Sequence, residues 1–403
     1  IGRAISYVVS IGTGYFIYKI IQKISGDKQT ALIGICLCFW AVFTWPAMFN
    51  VKPDIYMRFC FYGGLYYLLQ YFYEQKFKYL QISFILFTIG FLFLQTIVML
   101  GAPLVVPIAY YIYKHPAKYK DFLLASVAPL LIIVTCAGIL YYNDLLQYYF
   151  ECNWIYNTKL GKVMNSSWMG NYKHLLRVIL FISEFLLLAI VGIILFAPKK
   201  CRDIGFLAVV FLFVGEFTQR IFFTTVHQHY LINLVILSVI IAAPVVKLLW
   251  QKNNIFYYMF FAISWLHLMI NIFVPNRIND KFRPHLYLEK HSPHADNVFG
   301  LVGGAFGRYY GYYWMYPNME IIDNIVFKRL PQYNVNELIQ REKFDFIADR
   351  AYAGNPLKVL EKIFDVNDWE RQIFYNRMVD PAQLDDYEEI APDFYRRKQN
   401  TQE

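Results

Sequence analysis

Charge is scarce in this 403-residue chain. Asp, Glu, Lys and Arg make up only 17% of it, against about 25% in an ordinary soluble domain. That shortage excludes a disordered polyelectrolyte and argues against a cytosolic enzyme. Nucleotide-driven chemistry has no support either. There is no P-loop, no GxGxxG opening a soluble helix, no GxSxG and no HExxH. The six cysteines stop at Cys201. Cys36 and Cys38 form a CxC inside an apolar run, which lacks the partner ligands of a zinc site. They read as small core residues, and no disulfide framework is indicated. Internal repeats and low-complexity runs are absent. So is a secretory leader pattern ahead of the first apolar run. The first residue is Ile1, and the sequence reads as a chain that lacks its own N-terminus.

What the sequence does contain is hydrocarbon. Hydrophobic residues reach 58% and aromatics 19%, with 34 Tyr and 36 Phe. Runs of roughly 20 apolar residues, enough to cross a bilayer, fall at about 4–21, 30–49, 56–73, 79–95, 96–113, 122–142, 175–197, 204–222, 229–247 and 255–274. The stretch 79–113 holds no charge and is interrupted near Gln95-Thr96 and again at Gly101 and Pro103. Two short helices, or one span with a re-entrant piece, would both fit it. Ten spans make the charges alternate. Loops after the odd-numbered spans carry 13 Lys/Arg (Lys19, Lys23 and Lys28 through to Lys247 and Lys252), and the other side carries eight. The positive-inside rule makes the first side cytoplasmic. Residue 1, the loop 143–174 and the tail are then outside. The expected architecture is an α-helical polytopic membrane protein of about ten transmembrane helices, with a small C-terminal α/β extracytoplasmic domain.

The tail, 275–403, differs from the membrane part, 1–274. The membrane part has 21 Lys/Arg against nine Asp/Glu, and the tail has 17 against 20. The net positive charge therefore belongs to membrane loops, and nucleic acid is not an expected partner. Within the tail, 334–342 and 356–364 are expected to be helical, 344–348 a short buried strand, 369–378 a closing strand, and 380–403 frayed.

Ionisable groups inside a membrane are costly and tend to mark function. Glu184 lies in the seventh span, with Arg177 seven positions earlier on the same helical face. Glu216 and Arg220 are four apart at the outer end of the eighth span, a spacing that also suits a local ion pair. Lys52, Asp54 and Arg58 open the third span, where an anchoring interfacial loop is the simpler reading. His227, His229 and Tyr230 sit at the mouth of the ninth. HxH alone is a weak metal signal, and cavity lining or interfacial placement serves as well. A divalent metal is compatible with this set but not required by it. Together these groups fit an anionic ligand at the membrane surface, such as a lipid phosphate. The aromatic segments 148–156 and 308–316 suit either an interfacial belt or a platform for sugar rings.

Several segments together resemble one family. Lys52-Pro53-Asp54, leading into a helix with Tyr66 and Tyr67, is similar to the basic-Pro-Asp motif of polyprenol-phosphate-sugar-dependent membrane glycosyltransferases of the GT-C type. These form the dolichyl-phosphate-mannose protein mannosyltransferase superfamily, which also holds the lipid A aminoarabinose transferases. Gln95-Thr96 resembles its Lys-Gln-Thr stretch, and His229-Tyr230-Leu231 its His-Tyr-Leu motif. The run 293–350 resembles its external domain. The resemblance implies an inverting transferase. It would move a sugar from a polyprenyl-phosphate-linked donor to a lipid, glycan or protein acceptor on the outer face, among membrane lipids. It also implies a catalytic acidic residue on a first external loop, which this chain lacks, so that the chain by itself is expected to be inactive. Leu94 stands where the family often has Lys. Asp54, Glu216 and His229 are then candidates for catalysis or acceptor positioning. Lys52, Arg58, Gln95, Arg177, Arg220 and Tyr230 are candidates for binding substrate. A transporter or flippase of lipid-linked sugars is the alternative from another class. An O-antigen ligase or polymerase, or a non-catalytic assembly partner, stands further off.

Overall fold

The computed structural model describes residues 2–40, 53–150, 168–200, 202–222, 231–252 and 255–273, and in the tail 287–288, 290–291, 298–299, 339–341, 343–348, 381–391 and 394–398. The chain divides into two units, Ile1–Asn271 and Ile272–Glu403. It is mostly helical, with several apolar helices and one small sheet.

The first unit opens with α1 (Gly2–Ser25) and α2 (Lys28–Trp40). Their junction follows from three residues. Gly26 takes φ +74°, a left-handed turn that glycine adopts without strain, and its amide bonds back to the Gln22 carbonyl. Asp27 then caps α2, accepting from the Thr30 amide at 2.7 Å and the Gln29 amide at 3.3 Å. Next come α3 (Pro53–Glu74) and α4 (Phe77–Phe93). Pro53 stands at the first position of α3, where its missing N–H removes no helical bond.

The doubtful stretch resolves into two helical segments broken at Leu94, whose backbone is extended (φ −158°, ψ 119°). The second segment runs through α5 (Thr96–Gly101), a 3-10 turn at Ala102–Leu104 and α6 (Val105–Lys114). Gly101 and Pro103 thus tighten the helix and do not end it. Then follow α7 (Tyr119–Ala125), α8 (Val127–Tyr142) and the short α9 (Leu146–Phe150). The unit closes with α10 (Trp168–Lys200), α11 (Ile204–Phe222), α12 (Ile232–Gln251) and α13 (Ile255–Phe273).

Among the described residues, four stretches are long and apolar enough to cross a membrane: Ala4–Ser25, Thr96–Lys114, Pro116–Tyr142 and Ile232–Gln251. Lys28–Trp40, Phe77–Phe93, Glu184–Pro198 and Ile255–Trp265 are shorter apolar helices. Burial sorts the helices by role. Most of α3, and α12 from Ile232 to Val246 almost throughout, lie in the core. On α8, by contrast, Leu130, Leu131, Val134 and Ile139 are exposed. A helix apolar on every side yet bare is stable only where the surroundings are themselves hydrocarbon. Close approaches mark the packing of α10 on α12 and of α11 on the 3-10 turn. A Cβ on Gly192 would lie 2.7 Å from the Ile241 carbonyl oxygen, and one on Gly215 would press on the Pro103 ring.

In the second unit, β1 (Val298–Phe299), β2 (Phe346–Ala348), β3 (Tyr387–Ala391) and β4 (Phe394–Arg397) form one sheet in the order β1-β2-β4-β3. β1 runs parallel to β2, and the other two pairings are antiparallel. Alternation along β2 and β4 buries both faces. Phe346 and Phe394 pack with Leu288 and Val298, while Ile347 and Tyr395 pack with Ile339, Phe344, Leu384 and Tyr387. The Tyr387 hydroxyl donates to the Phe344 carbonyl at 2.8 Å, and burial pushes its phenol up to about 12. The expected frayed end, 380–403, is thereby corrected over 381–391 and 394–398. Tyr387–Ala391 and Phe394–Arg397 pair antiparallel because Tyr387, Phe394 and Tyr395 bury their rings. The buried strand expected at 344–348 forms as β2, and residues 339–341 of the expected helix 334–342 are helical. The segments 356–364 and 369–378 lie outside the described residues, as do the aromatic run 308–316 and most of 148–156.

Candidate functional site

The site grows from a repeat of four on α3. Asp54, Arg58 and Tyr62 fall at i, i+4 and i+8, so one helical face carries all three. Pro53 and Asp54 start the helix, and an acidic residue in its first turn suits the positive end of the helix dipole. Arg58 therefore lies about a turn inside, where the surrounding helices bury it to 8% exposure. This corrects the interfacial-anchor reading, which would leave the guanidinium in contact with water. Its nearest acid, Asp54, stands 3.9 Å away, too far for a hydrogen bond. Arg58 Nε is buried and unpartnered among the described residues, and so is the Tyr62 hydroxyl.

A second pair comes from α11. Glu216 is 1% exposed and accepts from Arg220 Nε at 2.8 Å and also from Arg220 Nη2. The i,i+4 spacing does make a local ion pair, but a buried one. Both contacts reach the same carboxylate oxygen, and Glu216 Oε2 has no partner among the described residues. The two pairs sense each other, since Arg58 interacts electrostatically with both Glu216 and Arg220, and Tyr62 with Glu216 and Cys38. Packing thus gathers two cations, two carboxylates and a phenol at the end of the unit where α3 begins and α11 finishes. Three polar atoms are left unmet. In hydrocarbon such atoms are expensive to leave bare, and phosphate oxygens or hydroxyls would satisfy them.

Gln95 is held elsewhere. Its side-chain amide donates to the Tyr149 hydroxyl of α9 at 2.7 Å. The segment following it does reach α11, because Gln219 donates to the Met99 carbonyl and Gly215 sits against Pro103. Glu184 is buried on α10. The shared face argued for Arg177 and Glu184 does not survive, because Ile182 between them is non-helical (φ −135°, ψ 22°) and kinks α10. The Arg177 side chain lies outside the described residues, as do Lys52, His227, His229 and Tyr230. No group of three His, Cys, Asp or Glu side chains comes together among the described residues.

Sequence reasoning missed Tyr62 and Asn233. Asn233 is buried in the first turn of α12 with its Oδ1 unpartnered among the described residues. The four-residue repeat would have found Tyr62. Nothing local distinguishes Asn233.

Apolar helices enclosing a charged cluster define a helical membrane protein with a polar site set in its apolar body. Residues 2–142 match the family model described as dolichyl-phosphate-mannose-protein mannosyltransferase. The resemblance to GT-C membrane glycosyltransferases is borne out over that segment, which holds Asp54, Arg58 and Gln95, and it supports a membrane glycosyltransferase. No curated protein and no solved structure matches the chain significantly.

Proposed function

We propose that the protein is an inverting glycosyltransferase that draws a sugar from a polyprenyl-phosphate-linked donor at the outer face of the membrane. The acceptor is a lipid, glycan or protein hydroxyl. The observation that carries this reading is the buried cluster of Arg58, Tyr62, Glu216 and Arg220 with its unmet polar atoms. In the transfer, the acceptor oxygen attacks the anomeric carbon and the bond from that carbon to the phosphate oxygen breaks. The electron pair leaves with the phosphate, and a carboxylate takes the acceptor proton. Arg220 and Arg58 serve the leaving phosphate, whose growing charge a preorganised guanidinium stabilises. Lys52, Gln95, Arg177 and Tyr230 are further binding candidates. Asp54, Glu216 and His229 shape the cavity or position the acceptor. The orientation that places this end and residues 275–403 outside rests on the loop charges, and a bacterial inner membrane is what the family resemblance implies. A site in which a lipid carries the activated sugar needs no nucleotide pocket.

The test is transfer of radiolabel from polyprenyl-phosphate sugars in membranes carrying the open reading frame that encodes this chain. Arg220→Ala is expected to lower kcat/KM by about a hundredfold or more. Arg220→Lys keeps the charge but loses the planar fork, and should recover only part of it. Unchanged turnover and donor affinity in Arg220→Ala would refute the assignment. The break between α4 and α5 at Leu94 is of the kind that interrupted helices show at transporter sites. Movement of the labelled lipid across the bilayer without transfer would favour that reading.

A further inference from the structure

The Arg220–Glu216 pair is held unevenly. Two guanidinium N–H groups, on Nε at 2.8 Å and on Nη2, converge on the single oxygen Oε1, and Oε2 accepts nothing among the described residues. A fork that meets two oxygens side by side is the stronger arrangement. A phosphate offers it two oxygens, where Glu216 gives only one. Access differs as well. The Arg220 side chain is 13% exposed, while that of Glu216 is wholly enclosed. A ligand anion can therefore reach the arginine without first reaching its acid.

A buried carboxylate that gives up Arg220 needs another donor, and Tyr62 is placed to be one. The residue is fully buried and its hydroxyl is unpartnered among the described residues. It interacts electrostatically with Glu216 across the contact between α3 and α11. A buried phenol without an acceptor is destabilising, and so is a buried carboxylate oxygen without a donor. The two lacks are complementary, because the hydroxyl donates and the ionised carboxylate only accepts. Arg58 also interacts with Glu216, so the freed carboxylate keeps a cation nearby.

We propose that Glu216 is an internal anion that occupies Arg220 until the donor phosphate replaces it, and that the Tyr62 hydroxyl then receives the freed carboxylate. Tyr62 is thus a positioning residue. It acts on the phosphate through Glu216 and touches no substrate. At rest the site is occupied by its own acid. Binding exchanges one hydrogen-bonded pair, Arg220 with Glu216, for two: Arg220 with phosphate and Tyr62 with Glu216. The proposal rests on the reading that Arg220 binds the donor phosphate, and adds how that arginine is held and released.

The experiment measures binding of farnesyl phosphate, against uncharged farnesyl alcohol, to the purified full chain in phosphatidylcholine nanodiscs. The unfolding temperature of each ligand-free protein is measured alongside. Glu216→Gln keeps the shape and an acceptor oxygen but drops the charge, so it competes less for Arg220. It is expected to bind farnesyl phosphate about tenfold more tightly, with alcohol binding unchanged. An acid that merely props Arg220 in place predicts weaker binding, so equal or weaker binding would overturn the proposal. Tyr62→Phe decides the matter should Glu216→Gln fail to fold. The hydroxyl has no partner at rest, so its loss should not lower the ligand-free unfolding temperature. It should still weaken farnesyl phosphate binding about tenfold. A lowered unfolding temperature with unchanged affinity would make the hydroxyl structural and sink the exchange. Arg220→Ala separates the two ideas. If it binds farnesyl phosphate as the wild type does, the reading of Arg220 as the phosphate ligand fails and this proposal with it. If it loses binding while Glu216→Gln and Tyr62→Phe bind as the wild type does, only the exchange fails.

Discussion

The two ends of the helical unit treat charge in opposite ways. At the end holding Asp27, several charged groups reach a partner on another helix. Lys247 of α12 meets the α2 cap Asp27 at 2.6 Å. Lys23 of α1 bridges Gln70 and Glu74 of α3 at 2.8 and 3.2 Å. The Tyr73 hydroxyl of α3 donates at 2.5 Å to Asp203, which also caps α11 through the Gly205 amide at 2.9 Å. Lys200 donates to the Ile24 carbonyl, and Tyr71 to Asp121 at 2.7 Å. The end holding Arg58 and Glu216 is more deeply buried, yet three of its polar atoms go unmet among the described residues. Stability alone would favour the first arrangement everywhere, since unpaired buried polar atoms are destabilising. The difference separates an end that clamps from the end where the proposed transfer would bind its donor.

Mutations can sharpen that contrast. The largest effect is expected from Glu216→Ala, which strands Arg220 in the core and should cost about 3–5 kcal/mol in unfolding free energy measured in detergent. Replacing both partners, Glu216→Leu with Arg220→Met, should restore most of that stability while abolishing transfer. If the double variant stayed as unstable as the single one, the pair would not be the cause. Gly215→Ala comes next. Its methyl group would press on the Pro103 ring, and overpacking of that kind costs about 1–3 kcal/mol. A wild-type unfolding profile for that variant would contradict the close approach.

Effects at the clamped end should be smaller and dependent on pH. Lys247 first, then Thr30, hold the Asp27 carboxyl well below the usual carboxylate range. A depressed value in the folded state stabilises the protein above the unfolded value, about 4. That contribution is lost as pH falls toward the folded value. The gap in unfolding temperature between wild type and Asp27→Asn should therefore shrink as pH drops below about 4. A gap constant from neutral to strongly acidic pH would remove Asp27 from the clamp. Least affected should be Lys76→Ala. Its pairing with Glu74 at 3.0 Å is exposed to solvent, and no measurable change in unfolding is expected.

Much of this was legible in the chain. Apolar runs placed the helices, and the break near Gln95-Thr96 appears as the extended Leu94. The spacing of Glu216 and Arg220 predicted their pairing, because four residues make one helical turn. The tail misled where burial came from distant strands. Residues 387–397 look polar and terminal, yet their aromatic rings complete the core around Phe344 and Phe346. The face shared by Arg177 and Glu184 failed at a kink that no Pro or Gly announces.

The sequence by itself determined the solvent of this protein, the positions of its helices and the local pairs within them. These depend on composition and on a period of 3.6 residues. Only the tertiary structure brought Asp54, Arg58 and Tyr62 of α3 to Glu216 and Arg220 of α11. The physical reason is that α3 and α12 are apolar on nearly every side. No hydrophobic stripe tells such a helix which face to turn inward. Close packing of distant side chains decides it, through contacts such as Gly215 on Pro103 and Gly192 on Ile241.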